Sequence, residues 1–165
     1  MRIACIGGGP AGLYFSISMK LLDPSCEVVV LERNKPDDTF GWGVVLSDET
    51  LENLHSNDPI SAASIRKNFA YWDDIALHFR GERLVSTGHG FCGIGRKKLL
   101  MLLQERAHSL GVDLRYETEV ESAEAYRGEY DVVVANDGLN SKTRMLYKDT
   151  FKPAVDERLC QFVWL

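Results

Sequence analysis

The chain begins with a glycine-rich turn between a short apolar run and a helix-like stretch, and this feature constrains the fold most. Gly7, Gly9 and Gly12 occupy the first, third and sixth positions of the turn. Glu32 lies twenty residues after Gly12, at the end of a second apolar run. Strand, glycine turn, helix, strand and a spaced acid together are the fingerprint of a Rossmann-type unit that binds an adenine dinucleotide.

Each part of this fingerprint has a physical purpose. Gly7 permits a tight turn, Gly9 lets a pyrophosphate approach the backbone, and Gly12 lets the helix pack close to the strand. Pro10-Ala11 lies where the helix N-terminus offers free N–H groups and a partial positive charge to phosphates. Glu32 is predicted to accept hydrogen bonds from ribose hydroxyls and to repel a 2′-phosphate, which argues against NADP as the source of the adenosine half.

Composition narrows the class of protein. The 165 residues predict one domain, and 45% apolar with 26% charged residues is typical of a soluble globular protein. A net charge of −5 gives no basic surface for nucleic acid, and no apolar stretch is long enough to span a bilayer. Four scattered cysteines without a Cys-x-x-Cys pair indicate free thiols in the cytoplasm, with neither disulfides nor a zinc site.

Periodicity along the chain predicts an α/β fold with a mostly parallel sheet and a small antiparallel layer at about 71–94. Arg33 to Val45 is expected to be a long loop. Helices are predicted at 48–55, 60–69, 97–110 and 141–146. Strands are predicted at 71–79, 83–87, 112–116, 118–126 and 130–135, and the last of these is expected to be buried.

Three further segments are candidates for ligand contact, each with a plainer alternative. Asp137-Gly138 follows an apolar strand, where a carboxylate meets a ligand or simply caps a turn. Gly41-Trp42-Gly43 presents a flat aromatic beside bare backbone, or is a surface loop with a core tryptophan. Arg96 opens a helix, where a cation is unfavourable unless an anion lies outside it; the alternative is a solvated side chain. Neither a metal site nor a catalytic acid, base or nucleophile is predicted.

These motifs together resemble the single-component flavoprotein aromatic hydroxylases. The glycine turn with Glu32-Arg33 is similar to the FAD adenosine site of that family. Arg96-x-x-Leu99-x-x-x-Leu103 is similar to its helix near the flavin, and Asp137-Gly138 with Ser141 and Arg144 to its Asp-Gly motif. The stretch 36–51 sharpens the resemblance towards members that hydroxylate salicylyl-CoA and anthraniloyl-CoA thioesters.

The resemblance implies a Rossmann-like FAD-binding domain of an NAD(P)H-using monooxygenase that acts with O2 on an aromatic substrate, an aryl-CoA thioester in particular. By this resemblance the glycine turn, Glu32 and Arg33 bind the ADP half of FAD. Arg96 and Asp137-Gly138 hold its middle, and the loop with Gly41, Trp42 and Gly43 flanks the isoalloxazine. The cofactor carries the bond-making chemistry, so no catalytic side chain is expected.

The similarity runs from Met1 to about residue 155, whereas the family continues with a third motif and a sheet that forms the substrate pocket. We therefore expect an FAD-binding domain over 1–155, the start of a substrate segment at 156–165, and a missing C-terminal substrate part. An uncovered sheet edge would then favour self-association. The alternative is a non-catalytic fragment that binds FAD weakly or not at all. An NAD-linked dehydrogenase would leave Gly41–Gly43 and Asp137-Gly138 unexplained.

Overall fold

A computed structural model describes residues 1–160 as an α/β fold, which confirms the predicted class. The stretch 161–165, part of the expected substrate segment, lies outside the described residues. In chain order the elements are β1 (Arg2–Ile6), α1 (Pro10–Leu22), β2 (Glu27–Leu31), β3 (Gly43–Ser47), α2 (Asp48–Asn57), α3 (Pro59–Arg66), β4 (Ala70–Trp72), β5 (Ile75–Phe79), β6 (Glu82–Ser86), β7 (Phe91–Gly95), α4 (Arg96–Ser109), β8 (Asp113–Arg115), a 3₁₀ turn (Ala123–Tyr126), β9 (Val132–Ala135), α5 (Lys142–Leu146) and α6 (Lys148–Phe151).

A parallel sheet of order β8-β2-β1-β9 forms the centre of the fold. After an exposed charged first residue, β1 and β2 are continuous apolar runs, which is typical of strands that are covered on both faces, here by helices on one face and a connecting segment on the other. On the helical face, α1 packs against β1 and β2, and α4 packs against α1. Together they enclose a core that includes Ile3, Cys5, Leu13, Ile17, Val28, Val30 and Leu103. On the opposite face, Val120, Tyr126 and Tyr130 cover Ala4, Val29 and Leu31, beside Val133 of β9.

An antiparallel layer lies beside this unit, but it differs from the prediction in two ways. It begins at β3, inside the segment expected to be a loop, because β3 pairs with β7 along its whole length. The strand expected at 71–79 is broken at Asp73-Asp74: β4 pairs with β7, whereas β5 pairs with β6. Arg80 (φ 51°) and Gly81 (φ 84°) form the tight turn of that hairpin, which requires positive φ at both positions.

The segment 118–126 was expected to be a strand, and that prediction is wrong. The Ser122 hydroxyl accepts a hydrogen bond from the Glu124 N–H and opens the 3₁₀ turn, so Val120 covers the sheet face instead of extending the sheet. β9 was expected to be buried but is half-exposed, because it lies at the end of the sheet. Its outer edge has no strand partner within residues 1–160, and self-association through an open edge stays a prediction.

The helices begin and end close to their predicted positions. Asp58 caps α3 by accepting hydrogen bonds from the N–H of Ile60 (3.3 Å) and the hydroxyl of Ser61 (2.6 Å). The same carboxylate forms a two-point ion pair with Arg106 near the end of α4, with N–O distances of 2.8 and 3.0 Å. Asp58 is 1% exposed. This buried pair therefore connects α3 to the helix that begins at Arg96.

All four cysteines are free thiols, and their environments differ. Cys5, Cys26 and Cys92 are buried, and burial raises the pKa of each, that of Cys5 to about 12. Cys160 is exposed. Because the thiolate is the reactive form, we expect one thiol to react rapidly with a disulfide reagent in the folded protein and all four after denaturation. Rapid reaction of more than one thiol without denaturant would contradict the burial of the other three.

No helix within residues 1–160 is both long enough and apolar enough to cross a membrane.

Candidate functional site

The glycine turn lies at the C-terminal end of β1, between β2 and β9, and two of its glycines are required by contact with backbone. Gly7 has φ +105° and donates its N–H to the carbonyl of Leu31 (2.8 Å). A Cβ atom on Gly7 would overlap the carbonyl oxygen of Asn136, and one on Gly12 would overlap that of Gly7. The two glycines therefore let β1, α1 and β9 approach more closely than any side chain allows.

Gly9 is different, because a Cβ atom at this position would have no atom within 4 Å. Its φ of −71° is one that any residue adopts. The space that it leaves is thus open, at the N-terminus of α1. That helix has neither a side-chain cap nor an acidic residue in its first turn, so its first N–H groups are available to an anion.

Glu32 is held rigidly at the end of β2. Its Oε2 accepts a hydrogen bond from the N–H of Gly8 (2.7 Å), and its Oε1 accepts two from Asn34, from the backbone N–H (2.8 Å) and the side-chain amide (2.7 Å). A carboxylate accepts about four hydrogen bonds, so these three leave capacity for one more donor. The contact of this oriented carboxylate with a ribose hydroxyl stays a prediction.

Asp137 caps the turn that leads into α5. Burial favours its neutral form, but hydrogen bonds from the Ser141 side chain and the Thr143 N–H outweigh this and hold the pKa of Asp137 below its usual range. The carboxylate is therefore charged at neutral pH. Arg144 does not pair with it; its guanidinium donates to the carbonyl of Leu139.

A cavity of about 220 Å³ brings most of the predicted residues together at the C-terminal edge of the sheet. Gly7, Gly9, Glu32, Arg33, Arg96, Asp137 and Gly138 line it. Pro10, Ala11, Gly12, Gly41, Trp42 and Gly43 are not among its lining residues. Trp42 is 79% exposed, and its carbonyl accepts a hydrogen bond from the N–H of Arg96 (3.0 Å), a residue that lines the cavity. This exposure contradicts the alternative of a core tryptophan, whereas the expected place of Trp42 beside the isoalloxazine stays a prediction.

Several other lining residues were not predicted as cofactor contacts, although three of them, Thr39, Phe40 and Asn136, lie in segments singled out from the sequence; the others include Tyr116, Thr118 and Lys142. Some of them follow β8 and β9, whose carboxyl ends meet the glycine turn at one edge of the sheet; that topology was the available signal. The ammonium of Lys142 pairs with Glu119 (2.9 Å), which also lines the cavity, and with Glu121 (3.1 Å).

The cavity also contains polar atoms that the described part of the chain leaves unsatisfied. Thr39 Oγ1, Arg96 Nε and Asn136 Nδ2 are buried without a hydrogen-bond partner there, and all three residues line the cavity. Buried polar groups are nearly always paired in proteins. Unpaired donors beside a helix N-terminus and an open glycine fit an anionic, oxygen-rich ligand. Residues 1–160 contain no cluster of three or more His, Cys, Asp or Glu side chains placed to hold a metal ion.

Comparison with known proteins agrees with this geometry. Residues 1–147 match the FAD binding domain family. The chain is 45% identical over 164 residues to the salicyloyl-CoA 5-hydroxylase of a Streptomyces species, an alignment that covers 99% of this chain and 32% of that protein. It is 33% identical to protodeoxyviolaceinate monooxygenase of Chromobacterium violaceum, over 99% of this chain and 44% of that protein. The chain thus spans less than half the length of these relatives.

Solved structures show the same fold. A variant of MHPCO, 2-methyl-3-hydroxypyridine-5-carboxylic acid oxygenase, superposes with a TM-score of 0.74 at 25% identity, covering 87% of this chain and 41% of that one. CtdE in complex with FAD and a substrate superposes with a TM-score of 0.62 at 18% identity, covering 74% of this chain and 31% of that one. At this low identity the second similarity concerns the fold alone.

Proposed function

This chain belongs to the FAD binding domain family, and from that premise we propose that it is the cofactor-binding part of an FAD-dependent aromatic monooxygenase. The observation that carries the proposal is the cavity at the sheet edge, which is lined by the open glycine turn and by three residues that each have a buried polar atom without a partner within residues 1–160. The 45% identity to a salicyloyl-CoA hydroxylase supports an aryl-CoA thioester as the substrate. NAD(P)H is the proposed reductant and O2 the oxidant.

In this proposal the side chains bind and orient the cofactor. The open space at Gly9 and the free N–H groups of α1 receive the pyrophosphate, and Glu32 uses its remaining acceptor capacity for an adenosine ribose hydroxyl. Arg33 lies against the adenosine. Arg96 offers its unpaired Nε to the middle of the cofactor. Pro10 and Ala11 support the turn from the helix side.

FAD, when bound, supplies the redox chemistry that transfers an oxygen atom to the substrate ring. The chain itself positions the cofactor. Phe40 at the cavity rim, with the neighbouring segment Gly41–Gly43, is the proposed flank of the isoalloxazine. Asp137 remains anionic and fixes the start of α5, so that Gly138 presents backbone to the ligand. The buried free thiols favour the cytoplasm as the compartment.

The proposal is tested by titrating the purified chain with FAD and following flavin fluorescence. We expect saturable binding by the parent chain and loss of affinity by at least about tenfold in Gly9→Ala, because the new methyl group occupies space proposed for the pyrophosphate. The stability of ligand-free Gly9→Ala should fall by no more than about 1 kcal/mol, the usual cost of alanine at a helix N-cap.

Gly128→Ala is a suitable control, since Gly128 is exposed outside the cavity and an added Cβ atom there would meet no atom within 4 Å, although its φ of +91° carries a conformational cost. It should lose some stability and keep its FAD affinity. Absence of FAD binding by the parent chain would favour the alternative, a dinucleotide-binding fragment without function of its own. Equal affinity in Gly9→Ala and the parent would place the pyrophosphate elsewhere.

A further inference from the structure

Asn136 is the residue between β9 and Asp137, and the backbone fixes it against the glycine turn. Its N–H donates to the carbonyl of Ile6 (2.7 Å), and its own carbonyl oxygen lies where a side chain on Gly7 would be. Its Cβ lies 3.4 Å from the position that a Cβ on Gly12 would take. The side chain therefore starts from a rigid position, between the first and last glycines of the turn.

The amide nitrogen of Asn136 is buried and has no acceptor among residues 1–160. Four carboxylates line the cavity, and each already has other partners. Glu32 accepts from Gly8 and Asn34, Asp38 accepts from the N–H of Lys35, Glu119 pairs with Lys142, and Asp137 caps the start of α5. An amide donor buried without a partner destabilises a folded protein. The ligand-free chain therefore carries an unfavourable group at its cofactor cavity, and an oxygen of a ligand would satisfy it.

We propose that the Asn136 side-chain amide donates a hydrogen bond to a pyrophosphate oxygen of the bound dinucleotide. The inference rests on the proposed function, because it requires FAD in this cavity. Asn136 lies beside Gly7 and Gly12, the two glycines that bring the α1 N-terminus to the end of β1, and phosphates bind at such a helix N-terminus. Asn136 is thus a positioning residue that joins the Asp-Gly turn to the glycine turn through the ligand.

The test is Asn136→Ala in the full 165-residue chain, with FAD affinity and ligand-free stability measured separately. Alanine keeps the Cβ beside Gly12 and removes only the amide. We expect the FAD dissociation constant to rise by about tenfold or more, as for loss of a hydrogen bond to a charged group. The melting temperature of the ligand-free chain should stay the same or increase. Asn136→Asp should bind more weakly still, since its carboxylate repels the phosphates.

A purely structural asparagine would give the opposite stability result, so a lowered melting temperature of ligand-free Asn136→Ala would overturn the inference. Asn68→Ala is the matched control, because its amide donates to the carbonyl of Ser64 outside the cavity; its FAD affinity should not change. If the parent binds FAD and Asn136→Ala binds it equally well, this inference alone fails. If the parent does not bind FAD, the proposed function fails and this inference with it.

Discussion

Gly12→Ala is expected to destabilise the protein by about 3 kcal/mol or more, the upper range for overpacking a close-packed site. The added methyl group would overlap the carbonyl oxygen of Gly7, which is backbone and cannot rotate away. To remove this overlap, α1 would have to move away from β1. That movement would disturb the central core, which the two elements share through Leu13 and Ile3. Urea unfolding of the ligand-free chain, followed by circular dichroism, measures the loss.

Gly9→Ala is the matched control for this variant, since it adds the same methyl group in the same turn but meets no atom within 4 Å. The two variants should separate fold from binding: Gly12→Ala loses stability with or without FAD, whereas Gly9→Ala loses mainly affinity. A Gly12→Ala protein as stable as the parent would show that the turn relaxes and that close packing of α1 on β1 is not what requires glycine.

The contrast between Gly12 and Gly9 also shows why the turn could be predicted from sequence. Most of its requirements arise within the turn: Gly7 has a positive φ, Gly12 packs against the carbonyl of Gly7, and Gly9 leaves open space at the helix N-terminus, all at a fixed spacing. The position of the acid, Glu32, is predicted by the same motif, because one helix and one strand separate it from the turn. The parallel β1-α1-β2 unit and its acid were therefore predictable from a single stretch of the chain.

The remaining walls of the cavity could not be predicted in the same way. Tyr116 and Asn136 line the cavity only because β8 lies beside β2 and β9 lies beside β1. No single segment of the sequence determines this strand order. The valine run of β9 predicts a buried strand, but β9 is half-exposed. Its burial depends on whether another strand lies beyond it in the sheet, which the run itself does not determine. Alternating polarity at 118–126 likewise fits either a strand or a segment that covers the sheet face.

Asp58→Ala is expected to cost about 3–5 kcal/mol, the range for removing one partner of a buried ion pair. The change leaves the Arg106 guanidinium, whose side chain is 15% exposed, without its carboxylate. It also removes the cap of α3 and the acceptor for Ser61. Urea unfolding at neutral pH gives the free energy. The pair of Asp37 with Lys97, 69% and 55% exposed, is the control, and Asp37→Ala should change stability little.

Replacing both partners, Asp58→Ala with Arg106→Met, should cost less than Asp58→Ala alone, because no buried charge is then left unpaired. If the double variant is less stable than Asp58→Ala, the cost lies in capping and packing instead of the ion pair. Arg106 lies near the end of the helix that Arg96 begins. Loss of the pair is therefore expected to weaken FAD binding as well, through the position of α4.

The same pair should make stability depend on pH in a defined direction. Burial opposes the charge of Asp58, but hydrogen bonds from Arg106 and Ser61 and the positive charge of Arg106 outweigh it, so the pKa of Asp58 in the folded chain lies below its usual range. Its contribution is fully present above the unfolded pKa of about 3.9 and is lost as the pH falls through the lower folded value. The stability difference between the parent and Asp58→Asn should therefore be largest near neutral pH and shrink below about pH 4. A difference that stays constant down to pH 2 would show that the charge of Asp58 does not stabilise the fold.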